Sequence, residues 1–131
     1  MFLECKKKRY RDDFSLSSIL DTITKANDEQ ISPRNTTGII AIDLSLKEST
    51  YEFYKEDISN SILTHLKKMP LVNFVEIYNE YIRYEGAKST HGLARRVIEN
   101  PNPKKELPPD IIEVIYYPKE IPNRLPFSIS S

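Results

Sequence analysis

The sequence predicts one mixed α/β domain with α+β character, and three observations carry that reading. Apolar runs alternate with helical stripes as far as residue 69, a stretch dense in β-branched and aromatic residues follows, and Pro and Asn clusters break the chain after residue 99. A length of 131 residues fits a single domain (core 1–69, β-rich extension 70–118, surface tail 119–131), and 39% hydrophobic residues suffice for a core. The expected sheet is mixed, with helices at about 15–30 and 57–69 and an appended β-hairpin.

Phe2-Leu3-Glu4-Cys5 reads as a short strand that gives way to the basic run Lys6 to Arg11. Leu16, Ile19, Leu20, Ile23 and Ala26 recur at helical spacing, so a helix is expected over Leu16 to Gln30, with Ser15 as N-cap and Pro33 as its limit. Gly38 to Leu44 is almost unbroken in branched apolar residues, the pattern of a strand buried on both faces. Asp57 is the expected cap of a second helix through Ile58, Ile62, Leu66 and Met69, ended by Pro70. Residues 71–82 also match a helical stripe, but their β-branched and aromatic content ahead of Gly86 favours a hairpin, 72–84 with 92–98. Ile111 to Tyr117, between Pro109 and Pro118, reads as a last strand, and the proline-containing tail from Lys119 is expected to lie over the surface.

No stretch reaches the roughly 20 apolar residues of a spanning helix, and no apolar block near the start resembles a signal peptide. A lone cysteine, Cys5, forms no internal disulfide and no thiolate zinc site, which points to a reducing, cytoplasmic setting. Acidic and basic residues balance at 19 each, so only the local run Lys6 to Arg11 argues for a polyanionic partner.

Chemistry concentrates at the first strand. Alternation puts Glu4 and Lys6 on one face, about 6 to 7 Å apart along the backbone. A carboxylate there suits a hard cation, and an ammonium beside it suits a phosphate where charge develops.

This Glu-x-Lys at the end of an apolar strand, followed by a basic turn, the helix from Leu16 and the strand Gly38 to Leu44, resembles the PD-(D/E)xK nucleases with their restriction-endonuclease-like core. Lys25-Ala26-Asn27-Asp28-Glu29-Gln30 running into Gly38-Ile39-Ile40-Ala41-Ile42-Asp43 is similar to the helix-to-strand passage of bacterial members, and the likeness covers roughly residues 2–45. It implies Mg2+ (or Mn2+) as cofactor, Glu4 and Lys6 as catalytic residues, and Glu4 with the Cys5 carbonyl as metal ligands. DNA, or RNA, is the implied substrate, contacted by Lys7, Lys8, Arg9, Arg11 and Gln30.

The family's other metal-binding Asp lies on the preceding strand, whereas only Met1, Phe2 and Leu3 precede Glu4, and Asp12 and Asp13 follow it. The expectation is therefore an N-terminally incomplete nuclease-like domain, inactive as it stands, whose opening strand is an exposed edge open to homodimer formation.

Rival readings stay open. The alternative is a non-catalytic nucleic-acid-binding or protein-interaction module on the same scaffold, and a third is a small α+β domain in which Glu4 and Lys6 are surface charges. Gln30 also fits a polar helix end, Cys5 a small core residue, and His65 and His91 surface positions. Asp43 in an apolar strand must be paired or lie at the sheet's polar end.

Overall fold

A computed structural model describes residues 2–7, 14–116 and 127–130, in which five strands form one sheet in the order β1-β2-β3-β4-β5. β1 (Phe2–Lys7) runs parallel to β2 (Gly38–Asp43), and β2 runs parallel to β3 (Val72–Glu85). β3 turns back through Gly86 at φ 62° into antiparallel β4 (Lys88–Glu99), which β5 (Phe127–Ser130) joins in parallel. The opening strand thus neighbours the strand from Gly38, and the predicted hairpin is present.

The two parallel crossovers run through α1 (Leu16–Ala26) and α2 (Glu48–Leu66). Both pack on one sheet face, where Ile19, Ile23, Ile58, Ile62 and Leu66 meet Ile40, Ile42, Val75 and Ile77 in a single buried cluster. Each fully buried Ile or Leu contributes roughly 1.5–3 kcal/mol of transfer free energy. The opposite face is smaller and is covered by α3 (Pro109–Tyr116), whose Ile115 joins Leu107 against Ile39 and Phe74.

Four expectations need correction or refinement. The first helix ends at Ala26 and continues as a π turn, Asn27–Ile31, then a 3-10 turn, Ser32–Arg34. The wider turn spaces Ile31 five residues beyond Ala26 and still delivers it, fully buried, to the core. The second helix begins at Glu48, not at Asp57, because buried Tyr51 extends the inward face seven residues ahead of Ile58. The segment predicted as a last strand is α3: Pro109 and Asp110 suit a helix start, and Ile111, Ile112 and Ile115 make a helical stripe over Phe74. Within the predicted tail, residues 127–130 are the strand β5, and 119–126 and 131 lie outside the described residues.

Candidate functional site

β1 stands at one end of the sheet, with β2 its only strand partner among the described residues. The register sets Glu4 opposite Ile40 and Lys6 opposite Ile42, the two β2 residues that face α1 and α2. Leu3 and Cys5 align with Ile39 and Ala41, on the alternate positions, and both are exposed. An exposed Cys5 corrects its reading as a core residue: at this end of the sheet, no described element covers the face away from the main helices. Lys7 closes β1 opposite Asp43, and Lys8, Arg9 and Arg11 lie outside the described residues.

Gln30 belongs to the π turn, which packs beside β1. Arg34 Nη1 donates to its carbonyl at 2.7 Å and to its Oε1 at 3.0 Å, so the side chain is engaged locally. The structure thus sets the turn carrying Gln30 beside β1, in which Glu4 and Lys6 pair in register with Ile40 and Ile42.

Asp43 alternates with Ile42 and so belongs to the other side, where it accepts a hydrogen bond from Ser45 Oγ at 3.2 Å. Alternation therefore separates it from the positions of Glu4 and Lys6. His65 is half-buried rather than on the surface, its Nε2 lying 2.7 Å from Thr24 Oγ1, which links α2 to α1; His91 is exposed.

The Asp43 side also carries a polar network that sequence reading misses. Lys7, Asp43, Tyr78 and Arg95 fall in one cross-strand row, and Cys5, Ala41, Glu76 and Val97 in the next. Tyr78 Oη donates to Glu76 Oε2 at 2.6 Å, while Arg95 donates to Glu76 Oε1 at 3.0 Å and to the Ile115 carbonyl. Burial, reinforced by the Glu76 carboxylate, raises the Tyr78 hydroxyl above its ordinary pKa. Burial opposes the charge on Arg95, and Tyr78 and Glu76 outweigh it, so the guanidinium stays protonated. The signal in the sequence is Glu76 and Tyr78 two residues apart in an apolar strand; their partner Arg95 is visible only once the register is known.

As a metal centre the donors fall short. β1 offers one carboxylate position and a backbone carbonyl, where a hard cation takes about six or more oxygens. Among the described residues no three His, Cys, Asp or Glu come together as a metal-holding group, and Glu76 is occupied by Arg95. Comparisons with protein-family models, curated proteins and solved structures return no match.

Proposed function

We propose that this chain is a nuclease-like domain that acts on the phosphodiester backbone of nucleic acid, DNA in the first instance, through Glu4 and Lys6. The observation that supports this reading is the β1-α1-β2 crossover: a Glu-x-Lys strand parallel to an apolar strand, flanked by the turn that carries Gln30. Glu4 serves as a metal-holding carboxylate and Lys6 offsets charge on the phosphate. A bound Mg2+ would polarise that phosphate, and a second copy paired with the side of β1 away from β2 would supply the further carboxylate needed to hold it. Lys7, Lys8, Arg9 and Arg11 hold the backbone by charge.

The single carboxylate position on β1 also favours a second reading, a module that binds nucleic acid without cutting it. Both readings require binding that weakens with salt. Charge reversal at Lys7, Lys8 and Arg9 together is expected to weaken DNA binding and to flatten its logarithmic salt slope by roughly 0.9 for each phosphate that is no longer neutralised. An unchanged slope for that variant contradicts both.

A further inference from the structure

β1 is an end strand of the sheet, and its side away from β2 carries no strand among the described residues. Such a side presents backbone N–H and C=O groups as a template for a further strand. On the face away from α1 and α2, Leu3 is 55% exposed and Cys5 is exposed as well, with half-buried Ala41 in register beside it. No described element covers this apolar strip.

The order of residue types along β1 selects the strand that fits. A second copy that pairs antiparallel and symmetrically is related by a two-fold axis perpendicular to the sheet, which must pass beside one residue of β1 and sets that residue opposite itself. Both copies then keep α1 and α2 on the same face of the joined sheet. An axis at Glu4 sets two carboxylates directly opposite each other, and one at Lys6 or Lys7 sets two ammonium groups so. Like charges directly opposite are destabilising. An axis at Leu3 engages only residues 2–4 of the six-residue strand. An axis at Cys5 sets Glu4 opposite the second copy's Lys6 and Lys6 opposite its Glu4, with Cys5 opposite Cys5 and Leu3 opposite Lys7. Opposite charges meet twice in that register, and the stem of Lys7 suits the exposed Leu3.

We infer that β1 is a self-recognition strand, which pairs antiparallel with β1 of a second copy about an axis at Cys5 and joins the two sheets into one. The pairing stands on the charge order and the open side of β1; its chemical consequence rests on the nuclease reading given above. In this register the second copy's Glu4 takes the diagonal position about 7–8 Å from Glu4. It is then the further carboxylate that a hard cation requires.

Sedimentation velocity without nucleic acid or Mg2+ tests the pairing apart from the nuclease reading. The parent is expected to dimerise reversibly. Lys6→Glu, which sets like charges opposite each other at two places, should weaken the dimer by about tenfold or more. The double variant Glu4→Lys/Lys6→Glu exchanges both signs and should dimerise within about threefold of the parent. An antiparallel pair holds opposite Cα atoms roughly 4.5–5.5 Å apart, inside the span of a disulfide. Diamide takes up the two electrons and two protons that a pair of Cys5 thiols releases, so it should link parent to parent and double variant to double variant. Parent and double variant set like charges opposite each other and should link at least about tenfold more slowly. A monomeric parent, a dimer unaffected by Lys6→Glu, a double variant as weak as Lys6→Glu, or mixed linking as fast as self-linking overturns the proposal. A dimer that follows these rules but does not cleave DNA in Mg2+ upholds the pairing and refutes the nuclease reading alone.

Discussion

Arg95 on β4 reaches Glu76 on β3 at 3.0 Å, and the same Nη2 donates to the carbonyl of Ile115, so one guanidinium ties the hairpin to the end of α3. Both side chains are largely shielded, 19% and 12% exposed. Removing the cation leaves a shielded carboxylate with Tyr78 as its remaining donor among the described residues. Arg95→Met should therefore cost about 2 kcal/mol, less than the roughly 3–5 kcal/mol of a fully buried pair. Glu76→Leu in that background should recover part of the loss. Urea denaturation of the three variants checks this, and an Arg95→Met midpoint equal to that of the parent contradicts it.

Tyr78 sets an alkaline limit. Its pKa is raised in the folded state, by burial first and then by Glu76, so the folded protein keeps this proton at a pH where the unfolded chain has lost it. The associated stability is complete below the ordinary tyrosine value of about 10 and is lost as pH rises above it. Tyr51, raised chiefly by burial, acts in the same direction. Denaturation midpoints between about pH 9 and 11 should fall less steeply for Tyr78→Phe than for the parent; equal slopes contradict the assignment.

Tyr51 is 2% exposed, and its hydroxyl has no hydrogen-bond partner among the described residues. A buried donor left unmade costs free energy, so Tyr51→Phe should be neutral or stabilising by up to about 1 kcal/mol. Calorimetry measures it, and a clear fall in Tm means that the hydroxyl is satisfied after all.

Gly38 is required by packing rather than by its dihedral angles. A Cβ there would meet the Ile31 side chain, with Cγ1 at 2.7 Å, and Ile31 is fully buried at the end of the π turn. Gly38→Ala should cost about 1–3 kcal/mol, and amide exchange over 27–34 should quicken. A stability unchanged from the parent would show that Ile31 can move aside.

What can be read from the sequence depends on which physical signals are local. Ile19, Ile23 and Ala26 announce α1, the branched run announces β2, and the β-branched density around Val75 and Ile77 announces the hairpin. The start of α2 is hidden because residues 48–57 are mostly polar and only Tyr51 among them is buried. α3 is easily misread because Ile, Val and Tyr are strand formers, and only contact with Ile39 and Phe74 selects the helix. The positions of Glu4 and Lys6 on an edge strand beside the π turn are partly legible. The association of Glu76, Tyr78 and Arg95 depends on cross-strand register, which no single segment encodes.

Cleavage at Glu4 and Lys6 is the central claim, and a plasmid assay in Mg2+ tests it most directly. The protein is compared with its Lys6→Ala form under conditions where both bind DNA. Mg2+-dependent strand cleavage by the parent is expected, with a loss of at least about a hundredfold in Lys6→Ala and binding retained. Cleavage that survives Lys6→Ala undiminished, or DNA binding by the parent with no cleavage in Mg2+, contradicts it.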